Sequence, residues 1–176
     1  MGSSLIVRLE EYLRRKRAHV KVPIPVTFIG KSGLQFSGLR GLLEQALVQQ
    51  KCKPAIIILH LGANDICRVS ALHWQTEMEA AVLYVKELFP STQLIWSDML
   101  PRLNWRSANS FEGGEAARKK GQRKARYFVS CVGGSVIRHP YIQFGCLMQD
   151  GVHLNEAGNA EFVDDLANGV MAVLHG

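Results

Sequence analysis

The chain has 176 residues, of which 47% are hydrophobic and 20% charged, with a formal net charge of +6. These values argue against disorder and predict a single globular domain over residues 1–176, and no apolar run is long enough to span a membrane. Four widely spaced cysteines without a C-x-x-C pair argue against a zinc site and favour reduced thiols in the cytoplasm; they are Cys52, Cys67, Cys131 and Cys146.

Helical and strand patterns alternate along the chain. Apolar residues at spacings of three and four predict amphipathic helices, and short β-branched or aliphatic runs predict strands. In chain order, the sequence predicts a helix over 5–18 opened by Ser3 or Ser4, a strand over 26–29, a helix over 36–50, a strand over 55–61, a helix over 74–89, a strand over 93–97, a helix over 115–132, a strand over 135–139 and a helix over 155–174.

This alternation predicts a three-layer α/β/α sandwich of the flavodoxin-like type, with a mostly parallel sheet and right-handed crossovers. Ligands of such sheets bind beyond the carboxyl ends of the strands, where the turns at 30–33, 62–65 and 98–102 are expected to lie. A sheet of this type usually opens with a strand that leads into the first helix, but only Met1 and Gly2 precede Ser3. We therefore expect the first strand to be missing or truncated.

Two residues before the last predicted helix have side chains suited to acid and base chemistry. Asp150 and His153 lie three residues apart, and Asn155 and Glu156 indicate the helix start that follows. An aspartate and a histidine can serve as the acid and base of a hydrolase, so the pattern predicts a hydrolytic site with its nucleophile upstream. A loop pair that caps the final helix is the alternative.

Two basic runs concentrate the positive charge, RRKR at 14–17 and RKKGQRKAR at 118–126. Such runs can contact the phosphates of nucleic acids or of an anionic membrane, whereas the simpler interpretation is a solvated helix face. Few aromatic residues are interleaved with them, which argues against a base-stacking surface. Weak nucleic-acid or membrane contact is the most that these runs predict.

Four short blocks occur in a characteristic order: GSSLI at 2–6, GKSG at 30–33, GAND at 62–65 and DGVH at 150–153. In this order they resemble the SGNH (GDSL-type) hydrolase family. The phrases HLGANDI, IWSDMLPRLNWR and DGVHLNEAGN are most similar to the esterase domain of vertebrate non-LTR retrotransposon first-open-reading-frame proteins. The resemblance covers essentially the whole chain. It implies the SGNH hydrolase fold and a serine esterase that cleaves short-chain acyl esters, of acetyl or lipid type, without a metal or organic cofactor.

The resemblance also assigns roles to individual residues. Ser4 matches the nucleophile, His153 the general base, and Asp150 the carboxylate that orients the imidazole. The backbone N–H groups of Ser4 and Gly33 and the side-chain amide of Asn64 match the oxyanion hole. A catalytically impaired module that keeps the fold to bind RNA, a lipid surface or a protein partner in a retroelement ribonucleoprotein is the alternative function.

Other interpretations of single residues stay open at this point. The family's first block usually reads GDSL, whereas Ser3 stands where the aspartate would be. Ser4 and Asn64 can also cap a helix and a turn, and Ser32 is a second candidate serine. Trp105 and Arg106 are candidates to line the substrate entrance. The histidines show no metal-ligand spacing: His60 is predicted to be a core residue, and surface or loop positions are predicted for His19, His73, His139 and His175.

Overall fold

The computed structural model describes residues 1–49 and 53–176 of the chain. Within these ranges the helices are α1 (Ser4–Lys16), α2 (Phe36–Gln49), α3 (Ala71–Leu88), α4 (Phe111–Cys131) and α5 (Glu156–His175), and the strands are β1 (Ile56–Leu59), β2 (Gln93–Ser97) and β3 (Ser135–Ile137). None of these helices combines the length and apolar character needed to cross a membrane. Gln50, the predicted end of the second helix, and Cys52 lie outside the described residues.

The three strands form one parallel sheet in the order β1-β2-β3, with Ile58 of β1 opposite Ile95 of β2. Beside β1, Gly2 forms isolated parallel bridges to His60 on one side and to Gly30 on the other. Gly2 therefore lies between the segments at Gly30 and His60, in the position of a strand inside the sheet.

The strand predicted over residues 26–29 is wrong, because this segment forms no ladder. Only the Ile29 carbonyl of this segment pairs with Gly2, accepting its N–H at 3.0 Å, and beyond the segment the Lys31 N–H donates to the Gly2 carbonyl at 3.1 Å. A ladder needs a neighbouring strand of matching length, and the neighbour here is the short segment at Gly2. Residues 24–29 instead line a largely apolar cavity of about 430 Å³ that residues 53–58 close on the other side.

Helices cover both faces of the sheet, which produces the predicted three layers. On one face α2, α3 and α4 pack against β1 and β2, and on the other α1 and α5 pack against β2 and β3. Fully buried side chains of the first core include Leu39, Met78, Val82, Trp96 and Val129, and those of the second include Leu9, Ile95 and Phe162. Burial of an aliphatic or aromatic side chain of this size stabilises the fold by about 1.5–3 kcal/mol.

Helix starts follow capping side chains more closely than the apolar periodicity indicated. The third helix begins three residues earlier than predicted, because Ser70 Oγ accepts the His73 N–H at 3.2 Å. The fourth helix begins four residues earlier, where Ser110 Oγ accepts the Gly113 N–H at 3.0 Å. Asn155 caps the last helix in the same way through the Gly158 N–H at 2.9 Å.

Candidate active site

Three of the predicted site residues lie in one hydrogen-bonded line. Ser4 Oγ is 3.1 Å from His153 Nε2, and His153 Nδ1 is 2.6 Å from Asp150 Oδ2. Ser4 is the first residue of α1, while Asp150 and His153 belong to the turn that precedes α5. The fold therefore brings together a serine and a histidine that are 149 positions apart in the chain.

The start of α1 aims Ser4 at the histidine. Ser3, not Ser4, is the N-cap residue, and the Ser3 side chain makes no capping hydrogen bond. The Ser4 hydroxyl faces His153, so the capping interpretation of Ser4 is wrong. Gly2 is required next to this helix start, because a Cβ at Gly2 would overlap the His60 carbonyl oxygen and lie 2.6 Å from a side-chain carbon of Ile6. Ser4 as a residue is partly exposed.

The turn at 150–153 holds the Asp150 carboxylate in one orientation. Its Oδ1 accepts the backbone N–H groups of Val152 and His153, both at 2.9 Å, which leaves Oδ2 for the imidazole. Gly151 takes φ +69°, a left-handed conformation that glycine adopts without strain. Desolvation raises the pKa of Asp150, but the hydrogen bonds from His153 and Val152 together outweigh it and lower that pKa to about 2. Asp150 is therefore ionised at neutral pH.

An ionised Asp150 determines which imidazole nitrogen carries the proton. A carboxylate only accepts hydrogen bonds, so His153 Nδ1 must be the protonated nitrogen in the neutral ring. Nε2 is then unprotonated and faces the Ser4 hydroxyl. This tautomer is the one in which a histidine can take a proton from a serine.

The candidate oxyanion donors lie at the same edge of the sheet. The N–H of Ser4 is in the first turn of a helix, where backbone N–H groups have no partner within the helix. Gly33 is exposed with φ +72°, and a Cβ there would meet no atom within 4 Å. Asn64 follows β1, and its Nδ2 donates to the Leu34 carbonyl at 2.9 Å. The Asn64 side chain is thus hydrogen-bonded to Leu34, the residue that follows Gly33.

Trp105 and Arg106, the candidates for the substrate entrance, have different environments. Trp105 is only 9% exposed and belongs to the core, whereas Arg106 is exposed. Both line a surface cavity of about 370 Å³ between Leu103 and Phe111. This segment adjoins the Asp150 turn, because Leu103 N–H donates to the Gly151 carbonyl at 2.7 Å.

A second Ser–His–Asp set, which the sequence predictions missed, lies in the interior. Ser97 Oγ is 2.8 Å from His139 Nε2, and His139 Nδ1 is 2.8 Å from Asp165 Oδ2. Ser97 also contacts His60 Nδ1 at 2.9 Å. Ser97 is 0% exposed, so an ester cannot reach it, whereas Ser4 is partly exposed.

This buried set tests the histidine predictions. His60 is a buried core residue as predicted, and burial and then His139 lower its pKa, so that it stays neutral. His139 lies in the loop after β3, which agrees with the surface or loop position predicted for it, but its side chain is only 3% exposed. Sequence spacing could not reveal this, because its partners Ser97 and Asp165 are 42 and 26 positions away. The remaining three are exposed: His19, His73 and His175.

The second basic run is not simply a solvated helix face. Arg118 side chain is 11% exposed and forms an ion pair with Glu115, and Arg126 forms an ion pair with the buried Asp98. Lys119, Lys120 and Arg123 are exposed on the same helix. Arg118 Nη1 also donates to the Met99 carbonyl at 3.0 Å. Arg118 and Arg126 therefore hold α4 to the segment that follows β2, and the other three face solvent.

One buried cation next to the candidate oxyanion hole was not predicted to belong to the site. Arg102, which is 7% exposed, donates from Nη1 to Asn64 Oδ1 at 3.3 Å. The position of Arg102 in the turn at 98–102, just after a predicted strand, was the sequence feature that could have indicated a site residue. Over residues 1–49 and 53–176, no three His, Cys, Asp or Glu side chains are grouped to hold a metal ion.

Solved structures similar to this chain match nearly its whole length. The esterase EstA from Pseudoalteromonas sp., solved inhibited by monoethylphosphonate, has a TM-score of 0.68 at 16% identity, over 98% of this chain and 88% of that one. A GDSL-like lipase from Bacteroides thetaiotaomicron has a TM-score of 0.66 at 11% identity, over 99% and 85% of the two chains. The C-terminal domain of the Drosophila Oskar protein has a TM-score of 0.69 at 14% identity, over 97% and 86%.

No protein-family model matches the sequence, and no curated protein matches it. The similarity to solved structures, at low identity but over almost the entire length, concerns the arrangement of helices and strands. The chain therefore has the three-layer α/β/α fold of the SGNH (GDSL-type) hydrolases.

Proposed function

We propose that this protein is a serine esterase that hydrolyses short-chain acyl esters through an acyl-enzyme intermediate. The observation that carries the proposal is the line from Ser4 through His153 to an ionised Asp150, with distances of 3.1 and 2.6 Å. A serine hydroxyl is a weak nucleophile at neutral pH, and an adjacent base in the correct tautomer supplies the activation that it needs.

The first half of the reaction transfers the acyl group to the protein. His153 Nε2 takes the Ser4 proton as Ser4 Oγ attacks the carbonyl carbon of the ester, and Asp150 stabilises the imidazolium that forms. The carbonyl oxygen becomes an oxyanion, which the N–H groups of Ser4 and Gly33 and Asn64 Nδ2 would hold. When the oxyanion collapses, the bond to the alcohol breaks and His153 donates its proton to the departing oxygen.

The second half returns the protein to its starting state. His153 Nε2 takes a proton from water, and the resulting hydroxide oxygen attacks the acyl carbon bound to Ser4 Oγ. Collapse of this second oxyanion breaks the bond to Ser4, whose oxygen recovers its proton from His153. The carboxylic acid leaves, so one ester and one water become one acid and one alcohol.

The nucleophile can be identified with a fluorophosphonate probe, since the similar esterase EstA was solved inhibited by a phosphonate. We expect mass spectrometry to find one adduct, on Ser4, and Ser4→Ala to lose both the adduct and the release of p-nitrophenol from a short-chain ester. Ser32→Ala is the matched control, because Ser32 is an exposed serine in a neighbouring turn. A folded protein that releases no product, or an adduct on Ser32 or Ser97, would show that the proposal is wrong.

Three sequence phrases suggest the evolutionary origin of the domain. We infer that the chain is related to the esterase domain of vertebrate non-LTR retrotransposon first-open-reading-frame proteins, from the phrases HLGANDI at 60–66, IWSDMLPRLNWR at 95–106 and DGVHLNEAGN at 150–159. These phrases hold the candidate site residues Asn64, Asp150 and His153 and the buried cation Arg102, whereas Ser4 and Gly33 lie outside them. Alignment against sequences of that group tests the inference, which requires Arg102 and Asn64 to occur together.

A second candidate function, RNA binding in a ribonucleoprotein, is favoured by one observation. Lys119, Lys120 and Arg123 are exposed on α4 and lie in adjacent turns. Their combined change to Gln removes three charges without touching the ion pairs of Arg118 and Arg126. We expect this variant to lose salt-dependent RNA binding, whereas loss of the same number of charges at Arg14, Arg15 and Arg17 does not. Equal loss from both variants would indicate a nonspecific charge effect and not an RNA site on α4.

A further inference from the structure

Arg102 is a buried cation whose side chain contacts the side chain of Asn64. Arg102 lies in the segment that follows β2, and it is 7% exposed. Its Nη1 donates to Asn64 Oδ1 at 3.3 Å, whereas its Nε and Nη2 make no hydrogen bond within the described structure. No carboxylate among residues 1–49 and 53–176 forms an ion pair with it. Its guanidinium carbon lies 5.5 Å from the centre of the Trp105 ring.

A buried cation without a carboxylate partner is costly for a fold. Burial, and then the nearby Arg106, lower the pKa of Arg102 to about 10, so that the guanidinium keeps its charge at neutral pH. Unpaired buried charges destabilise a fold strongly unless other interactions offset them. Buried charges without a partner of opposite charge are concentrated at functional sites, whereas elsewhere in protein interiors charged groups are paired.

Arg102 and Leu34 together determine which way the Asn64 amide faces. Arg102 only donates, so it must face the amide oxygen, and the Leu34 carbonyl only accepts, so it must face the amide NH₂. The reversed amide would place donor against donor and acceptor against acceptor. Because Leu34 uses one N–H of Nδ2, the other N–H remains for an oxygen of the substrate.

We propose that Arg102 is a positioning residue of the oxyanion hole, which holds the Asn64 amide with its second N–H toward the substrate and places a positive charge behind it. The inference rests on the esterase activity proposed above. The charge polarises the amide through its oxygen, and this effect grows as negative charge develops on the substrate oxygen. Arg102 should therefore act on kcat and leave KM nearly unchanged.

The test is a double-mutant cycle on ester hydrolysis by the full chain. Loss of one oxyanion donor usually lowers kcat about 10²- to 10³-fold, and we expect this from Asn64→Ala. Arg102→Met should lower kcat at least about tenfold, with KM within about threefold. Because Arg102 acts through Asn64, the kcat of the double variant should lie within about threefold of the kcat of Asn64→Ala. If the two residues acted independently, the double variant would instead lose the product of the two single losses in kcat. Arg138→Met, at an exposed position after β3, is the control and should match the parent.

Thermal unfolding separates positioning from a structural role. Removal of an unpaired buried charge should leave the melting temperature of Arg102→Met unchanged or raise it, whereas a structural role predicts that activity and stability fall together. If Arg102→Met does not fold, Arg102→Gln replaces it in the cycle, since a neutral polar side chain of similar shape is easier to accommodate. An Arg102 variant with the parent's kcat, or single effects that multiply in the double variant, would overturn the inference.

The two possible failures have different signatures. If the esterase proposal is wrong, the folded parent releases no product and Ser4 takes no fluorophosphonate. If only the role of Arg102 is wrong, the parent is active and Ser4 is labelled, but the cycle is additive or Arg102→Met is fully active.

Discussion

Asp150→Asn tests the assignment of the acid and base more sharply than any deletion of a side chain. Asp150 uses both carboxylate oxygens, Oδ1 for two backbone N–H groups and Oδ2 for His153 Nδ1. If the amide oxygen of Asn keeps the backbone bonds, its NH₂ faces Nδ1, which must then be unprotonated. The proton moves to Nε2, and His153 no longer can accept the Ser4 proton.

The second possible orientation of the Asn amide is also unfavourable, and its cost determines how far kcat falls. Turning the amide restores the hydrogen bond to Nδ1, but the N–H groups of Val152 and His153 then lose their acceptor. Because the turn is exposed, each lost hydrogen bond costs about 0.5–1.5 kcal/mol. At 1.36 kcal/mol for each factor of ten, with the lost negative charge added, we expect kcat to fall roughly 10²- to 10⁴-fold. The assay is the initial rate of p-nitrophenyl acetate hydrolysis at neutral pH, with KM measured in parallel.

Asp165→Asn is the matched control from the buried set. Asp165 uses Oδ2 alone for His139, so an amide oxygen can accept the same hydrogen bond and the tautomer does not change. We expect this variant to keep kcat within about threefold, because Ser97 does not meet substrate. Asp150→Asn with a rate within tenfold of the parent, or Asp165→Asn with an equal loss, would refute the assignment of Asp150 as the orienting carboxylate.

Three further predictions concern stability. Burial raises the pKa of Asp65 from 3.8 to about 6, so the folded state holds this proton more tightly than the unfolded state, and stability falls as pH rises between these values. Asp65→Asn should therefore raise the melting temperature at neutral pH but not below pH 3.8. The Asn amide oxygen can still accept the Phe36 N–H, so this hydrogen bond is kept. Gly114→Ala should destabilise the protein by about 1–3 kcal/mol in urea unfolding, because a Cβ there overlaps the Trp105 side chain. Gly41 is an exposed position of α2, and a Cβ there would meet no atom within 4 Å, so Gly41→Ala should instead stabilise by up to about 1 kcal/mol. The same sign from both glycines would contradict this account.

The sequence by itself determined the alternation of helices and strands, because apolar periodicity reports which face of each element is buried. The aliphatic run at 55–61 predicted a strand covered on both faces, and β1 lies between two helical layers. The blocks at 2–6 and 150–153, through the family resemblance, predicted Ser4, Asp150 and His153 as candidate site residues. Local chemistry sufficed for the pair of Asp150 and His153, since three hydrogen bonds within the turn at 150–153 hold the two side chains together.

Only the tertiary structure decided which polar groups meet across the fold. The segment 26–29 has strand composition but forms no ladder, because pairing depends on the length of the neighbouring segment at Gly2. Arg126 reaches Asp98 across 28 positions, and Arg102 reaches Asn64 across 38. Such contacts leave no local periodicity, since they depend on how the ends of β1 and β2 and the face of α4 are packed. The packing therefore determines both the orientation of Asn64 and the exposure that distinguishes Ser4 from Ser97.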